Sequence, residues 1–204
     1  TGNRAYEPTE KSEYGYGLYK NVITSIQLER LLNAAGPTAG KLLRPSDGKA
    51  PRRIAFLQCV GSRDDKIGRL YCSSVCCMYS VKEAVIAKEH SPNLECTIFF
   101  LDMRSHGKEF DDYRTRAQTE YGIRFVRGLV SKIEEEPDTR NLVLKYAEAG
   151  DPKEEEFDLV VLSVGIRPQE GSGELAKKLG IALNKYDFCL TQPFSPLATT
   201  RPGI

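Results

Sequence analysis

Four of the six cysteines lie in one short stretch of the chain, as Cys59, Cys72, Cys76 and Cys77. A chain of 204 residues can bury a core without disulfides, and the adjacent Cys76 and Cys77 have awkward geometry for a mutual bridge. Cysteines grouped in this way outside a disulfide framework are typical of ligands. The spacing therefore predicts a metal or iron–sulfur site on these four residues.

The spacing also favours one kind of ligand over another. A run of 12 residues separates Cys59 from Cys72 and 3 residues separate Cys72 from Cys76, whereas Cys77 follows directly. Structural zinc is usually held by two cysteine pairs with roughly two to four residues inside each pair. Adjacent ligands are easier to accommodate on an iron–sulfur cubane, because different irons take them. An iron–sulfur cluster is favoured, and zinc stays open as the alternative.

Other roles for the cysteines are weaker. A redox-active dithiol at Cys72 and Cys76, or at Cys76 and Cys77, would lack the usual C-x-x-C spacing. Cys96, at the start of a predicted strand, and Cys189, near the chain end, are interpreted as packing residues.

The cysteines occupy the turn between a predicted strand and a predicted helix. Ile54–Leu57 is an apolar run typical of a strand, and Cys76–Glu89 has helical periodicity. A dinucleotide-binding fold carries a G-x-G-x-x-G turn at this place, so that its backbone can approach a pyrophosphate. The sequence has thiols there instead, which disfavours NAD(P) binding.

A helix that begins near the cysteines would suit an anionic cluster. We expect Ser73 or Ser74 to cap the helix, which would place Cys76 and Cys77 in its first turn, beside free N–H groups and the positive end of the helix dipole. Basic residues of the preceding loop could offset the cluster's negative charge. These residues are Arg63, Lys66 and Arg69.

The remaining pattern is that of an α/β domain. A short helix is predicted at Ser25–Ala35, with Ser25 as its cap and Ile26, Leu28, Leu31 and Leu32 on or near one face. Further predicted strands are Cys96–Leu101, Ile123–Val126, Leu129–Glu134, Leu142–Ala147, Glu156–Phe157 and Leu159–Val164, and further helices are Phe110–Tyr121 and Gly173–Leu179. Turns are predicted at Pro137–Asp138 and Gly150–Pro152. The order β-α-β-α-β, then an antiparallel excursion, then a buried strand predicts a three-layer, Rossmann-like domain.

Composition excludes some functions. The formal net charge is +1, so no basic excess indicates nucleic-acid binding. No apolar run approaches the roughly 20 residues that span a bilayer, and the polar start resembles no signal peptide and lacks Met, so we expect a cytoplasmic piece of a longer protein. The two histidines, His90 and His106, form no catalytic set with a serine or cysteine.

Several motifs together resemble the family of heterodisulfide reductase A subunits. They are YGYGLYKNVITSIQLERLLNAAGPTAGKLLRPSDG, FLQCVGSRD, YCSSVCCMYSVKEA, FFLDMRSHGKEFDDY, LVVLSVGIRP and TTRPGI. The A subunit of the quinone-interacting membrane-bound oxidoreductase complex is similar. The resemblance covers essentially the whole chain, and the block from CVGSRD to YCSSVCC is its specific part.

The resemblance implies a flavin/iron–sulfur oxidoreductase that relays electrons between FAD and partner subunits of an electron-transfer complex. It implies a four-iron (4Fe-4S) cluster on Cys59, Cys72, Cys76 and Cys77, and FAD in the full-length parent, whose G-x-G-x-x-G segment would lie upstream. Residues 1–50 would then connect to the FAD domain, 51–168 would be the nicotinamide-domain-like unit of a flavoprotein with two dinucleotide-binding domains, and 169–204 would return to the FAD domain. A homodimer stays open. The alternatives are an NAD(P)H-binding domain and a zinc-containing or cofactor-free docking domain.

Overall fold

The computed structural model describes residues 2–204. The strands are β1 (Asn3–Ala5), β2 (Val22–Thr24), β3 (Arg53–Val60), β4 (Glu95–Phe100), β5 (Arg124–Arg127), β6 (Val130–Glu135), β7 (Leu142–Glu148), β8 (Asp151–Phe157), β9 (Leu159–Val164) and β10 (Ile166–Pro168). The α-helices are α1 (Ser25–Leu32), α2 (Cys76–His90), α3 (Phe110–Thr119) and α4 (Ser172–Leu179).

Five parallel strands form the central sheet, in the order β2-β9-β3-β4-β5. Helix α2 connects β3 to β4, and α3 connects β4 to β5, so the chain makes two successive β-α-β crossovers. Read from β5 to β9, the strands have the order of the first four strands of a Rossmann sheet. The predicted Rossmann-like α/β class is confirmed.

The sheet is buried on both faces, which gives three layers. On one face Leu28 of α1 and Val81 of α2 pack into a core with Phe56 of β3. On the other face Phe99 packs with Phe157 of the antiparallel sheet β6-β7-β8. Because both faces are covered, β9 is buried at all six positions, which is why it reads as a continuous apolar run.

The predicted antiparallel strands are confirmed, but one turn lies earlier in the chain than predicted. Strands β7 and β8 are joined by Ala149 and Gly150, both with positive φ, as a tight two-residue hairpin requires. The predicted turn at Gly150–Pro152 is therefore wrong in its second half, since Asp151 and Pro152 begin β8. Strand β8 is an edge of its sheet, where a proline removes no internal hydrogen bond.

The N-terminal region adds a strand that periodicity did not indicate. Strand β2 pairs with β9 at the edge of the central sheet and leads directly into α1. The cap of α1 is Thr24, not the predicted Ser25: its hydroxyl accepts from the backbone N–H of Gln27, whose side chain accepts from the Thr24 N–H. Helix α1 also ends at Leu32, because Asn33 is extended and accepts from the N–H of Ala35.

Other boundaries differ by a few residues. Strand β3 continues three residues past the predicted end at Leu57, because the polar Gln58 is buried with Cys59 and Val60. Helix α3 ends at Thr119 rather than Tyr121. Ile26, expected on the apolar face of α1, is 59% exposed. The domain division at residues 50 and 168 stays a prediction.

Candidate metal centre

Strand β3 brings Cys59 to the carboxyl end of the central sheet. The pairing of β3 with β9 shifts register between Leu57 and Val60, so Cys59 lies in an irregular step of the ladder. Its φ of 62° is a left-handed conformation that residues other than glycine seldom adopt. Bulges and strained residues of this kind re-aim side chains and cluster at functional sites.

Helix α2 begins at the cysteines. Cys76 and Cys77 are its first two residues, and both are buried. The predicted serine caps are wrong. The N-cap is Val75, which has no polar side-chain atom, and the Ser73 hydroxyl accepts from the N–H of Ile166 at 2.9 Å instead. The first turn therefore presents its N–H groups and positive dipole end with no capping side chain from Val75.

Three of the four thiols influence one another's pKa. The Cys76 thiol interacts with those of Cys59 and Cys77. This interaction lowers the pKa of Cys77 to about 6, with help from the Arg104 N–H, which donates to the Cys77 sulfur at 3.4 Å. Cys76 also lowers the pKa of Cys59, whereas the pKa of Cys76 is raised, first by Cys59. The group thus favours thiolates at Cys59 and Cys77.

Cys72 lies in the loop that enters α2 and is partly buried. Its sulfur accepts from the backbone N–H of Ser74 at 3.3 Å, and Ser74 has a φ of 60°. The structure therefore brings Cys59, Cys76 and Cys77 into one group, with Cys72 four residues from Cys76 on the adjoining loop.

Two cations act on this group. Arg104 lowers the pKa of Cys77 through its N–H and its charge. The Arg63 guanidinium lowers the pKa of Cys59 after Cys76, and it also contributes at Cys77. Its Nη2 donates to Asp102 at 2.7 Å, while Nη1 is buried and has no hydrogen-bond partner within residues 2–204. The guanidinium is therefore anchored on one side, with an unpaired N–H group on the other.

The other two loop cations face elsewhere. Lys66 is exposed. Arg69 stacks on the ring of Tyr6 at 4.5 Å, and its nearest carboxylate is Glu10 at 4.0 Å. Of the three basic residues named from the sequence, only Arg63 contributes to the cysteine group.

The cysteine loop and the first turns of α2 are tied to the end of β9 and the start of β10 by long-range hydrogen bonds. The hydroxyl of Tyr71 donates to the carbonyl of Ile166 at 2.9 Å, and that of Tyr79 donates to the carbonyl of Val164. Gly165 permits the approach, because a Cβ there would lie 2.4 Å from the Ser73 hydroxyl. No local sequence signal indicates these partners, since they are more than 80 residues from the loop.

The remaining cysteines lie outside the group, as expected. Cys96 is buried in the core beneath α2, where its sulfur is 3.9 Å from the carbonyl of Ala84. The packing role expected of Cys189 is wrong, because that residue is exposed in the C-terminal segment.

The residues present fit an anionic, sulfur-ligated group. Thiols biased towards thiolate, N–H groups aimed at Cys72 and Cys77, and an unpaired buried guanidinium N–H are the donors that such a group requires. Within residues 2–204, no three potential ligand side chains are already arranged as the ligands of one metal ion. The ligand set therefore stays a proposal.

Three solved structures of reductases superimpose on this chain. The thioredoxin reductase of T. acidophilum superimposes with a TM-score of 0.56 over 100% of this chain and 53% of its own, at 15% sequence identity. The thioredoxin reductase of Lactococcus lactis also gives 0.56, at 16% identity and 53% of its own length. The Cu(II) complex of the flavoprotein disulfide reductase RclA from Escherichia coli gives 0.55 over 99% of this chain and 36% of its own, at 15% identity. The chain therefore shares its fold with part of each of these reductases.

The sequence relatives identify a narrower class of protein than the solved structures do. The chain is 52% identical to an iron-sulfur A subunit of CoB–CoM heterodisulfide reductase from Methanopyrus kandleri, over 97% of this chain and 31% of that protein. It is 49% identical to the A subunit of the H2/formate:CoB–CoM heterodisulfide,ferredoxin reductase of Methanococcus maripaludis, over 100% of this chain and 32% of that protein. The chain thus belongs to the family of heterodisulfide reductase A subunits and spans about a third of their length, which confirms the resemblance.

No protein-family model matches the chain. Among residues 2–204, none of the helices combines the length and apolar character needed to cross a membrane.

Proposed function

We propose that this chain is the cluster-holding part of an oxidoreductase subunit of heterodisulfide reductase type. Cys59, Cys72, Cys76 and Cys77 would be the ligands of a 4Fe-4S cluster. When bound, that group supplies one-electron transfer. The parent protein would supply FAD, and the electrons would pass between FAD and partner subunits.

The grouping of three thiols at one helix N-terminus is the observation that carries the proposal. Cys59 arrives from a strained strand end, while Cys76 and Cys77 arrive from the first turn of α2. The local electrostatics favour thiolate at two of the three. The thiolate is the form of cysteine that binds metals, so the site favours the ligand state before any metal arrives.

The names of the relatives support the same function. The protein of Methanopyrus kandleri is called an iron-sulfur subunit, and that of Methanococcus maripaludis is named as one subunit of a reductase. The chain spans about a third of these proteins. The FAD site, the partners and the complete reaction are therefore proposed for the full-length protein.

The cysteine site also bears on nicotinamide binding. In a dinucleotide-binding fold the pyrophosphate sits at the N-terminus of the helix after the first Rossmann strand, which here corresponds to α2. In this chain the first turn of α2 holds two buried thiols. The proposed role is therefore electron relay, with nicotinamide binding as the rival.

The test is metal analysis of anaerobically purified protein. We expect the Cys76→Ala variant to contain about four fewer iron and four fewer sulfide atoms than the unaltered protein, because a four-iron cluster depends on its thiolates. The reduced Cys76→Ala variant should also lack one EPR signal of the unaltered protein. Cys96→Ala is the matched control, since it removes a buried thiol outside the group.

Two results would contradict the proposal. One is zinc at one ion per chain, with iron unchanged by Cys76→Ala. The other is micromolar binding of NADH by a chain whose iron content does not depend on these cysteines.

A further inference from the structure

Arg63 occupies a position that the other cations of the cysteine loop do not share. Its side chain is 21% exposed and contacts Asp102, just past β4, whose carbonyl oxygen lies 3.8 Å from the sulfur of Cys77. Nη2 is held by Asp102 at 2.7 Å, and Nη1 is buried and unpartnered within residues 2–204. A buried guanidinium N–H without a partner is costly. Nη1 of Arg69 shares this feature, so what distinguishes Arg63 is its place beside Cys77 and Asp102.

The backbone around Arg63 holds it in this position. Arg63 has a φ of 54°, and its N–H donates to the carbonyl of Tyr71 at 2.9 Å. Asp64 and Arg69 pair as an antiparallel bridge, so the segment between Cys59 and Cys72 folds back on itself as a hairpin. The side chain of Arg63 is therefore presented towards the cysteines by a defined turn rather than by a free loop.

We propose that Arg63 compensates the negative charge of the cluster at the Cys59 side, and that its anchoring by Asp102 makes it a determinant of the cluster's reduction potential. This inference rests on the proposed function, because it presupposes the cluster. It goes further, because the sequence suggests charge compensation by three basic loop residues and the proposal assigns it to Arg63.

The physical reason is electrostatic. Four thiolates make the cluster an anion, and one-electron reduction adds a further negative charge. Arg63 presents a permanent positive charge in a partly dehydrated place, where its attraction is stronger than in water. That attraction is larger for the reduced cluster than for the oxidised one, so Arg63 raises the reduction potential of the cluster. Asp102 keeps the guanidinium from turning outward, and Arg127 reaches the same carboxylate at 3.3 Å from the exposed side.

The experiment measures the potential of this cluster in the native protein. Anaerobically purified protein is titrated with dithionite and mediators, and the relevant EPR signal is identified as the one that Cys77→Ala abolishes. We expect Arg63→Gln to disfavour reduction about tenfold, which for one electron is about 59 mV more negative. Lys66→Gln removes the same charge at an exposed position and should shift the potential by less than half as much.

Arg63→Lys separates charge from structure. Lysine keeps the positive charge, so the variant should retain the cluster and lie closer in potential to the unaltered protein than Arg63→Gln does. If Arg63→Gln loses its iron, the proposal stands only when Arg63→Lys keeps both iron and potential, and it is overturned when both variants lose iron alike.

Equal shifts for Arg63→Gln and Lys66→Gln would also overturn the proposal, while leaving the cluster itself intact. A protein whose iron content does not depend on the four cysteines would refute the proposed function, and this inference with it. The two failures are thus distinguishable from the iron analysis alone.

Discussion

The buried carboxyl of Glu83 predicts a specific dependence of stability on pH. Glu83 lies on α2, 2% exposed, and its Oε2 has no hydrogen-bond partner within residues 2–204. Burial raises its pKa from 4.5 to about 9, with a smaller contribution in the same direction from Glu29 and an opposing one from Lys82. The folded protein therefore keeps this carboxyl neutral at pH values where the unfolded chain ionises it.

The direction of this pH dependence follows from the linkage between proton binding and folding. Because the pKa is higher in the folded state, the stability that Glu83 contributes is complete below pH 4.5 and is lost as the pH rises towards 9. Each pH unit between these limits costs about 1.4 kcal/mol. Between about pH 6 and pH 8.5 the loss amounts to about 3 kcal/mol.

The perturbation is Glu83→Gln, which removes the titrating group and nearly preserves its shape. The free energy of unfolding is measured by urea titration followed by circular dichroism at several pH values, since the chain contains no tryptophan. We expect the stability of the variant relative to the unaltered chain to rise by about 3 kcal/mol from about pH 6 to pH 8.5, whatever the constant offset between them.

Glu89→Gln is the matched control, because it makes the same change on the same helix at an exposed position. Its stability should run parallel to that of the unaltered chain. If the curve for Glu83→Gln also runs parallel, the carboxyl is ionised in the folded state, and the argument from burial is refuted.

Three further substitutions test the fold around the site, each by urea unfolding. Gly61→Ala should destabilise the chain by about 2 kcal/mol or more, because its φ is positive and the new Cβ would lie 1.9 Å from the ring of Tyr6. Gly68→Ala is also at positive φ but in open space, so it should destabilise the chain clearly less. Equal losses of stability would contradict the steric argument. Thr24→Ala removes the capping box of α1 and should cost about 1 kcal/mol, with Thr24→Ser restoring most of it. Leu28→Ala empties a fully buried site between α1 and the sheet and should cost about 2–5 kcal/mol, whereas a loss below about 1 kcal/mol would mean that α1 is not part of the core.

The regular part of the fold could be predicted because its signals are local. The apolar run of β9 and the buried stripe of Val81, Ala84 and Val85 on α2 can be read from neighbouring residues alone. Strand β2 cannot be predicted from periodicity, because it has only three residues and its pairing with β9 is what makes them a strand. Local capping rules do not hold at α2, because the Ser73 hydroxyl accepts from the distant N–H of Ile166 instead.

The ligand set could be proposed from the sequence because spacing along the chain carries that information. A strand end followed by a helix start brings Cys59 near Cys76 and Cys77 in any fold of this class, so the types and intervals of the cysteines were sufficient. The choice among Arg63, Lys66 and Arg69 was different. All three are basic residues of the same loop, and nothing in their order distinguishes them.

The sequence by itself therefore determined the class of fold, the four candidate ligands and the kinship with the A subunits of heterodisulfide reductases. Only the tertiary structure decided which of the three basic loop residues meets the cysteines and what holds it there. The physical reason is distance along the chain. Asp102 is 39 residues from Arg63, and their contact exists because β3 and β4 are neighbours in the sheet and end at the same edge.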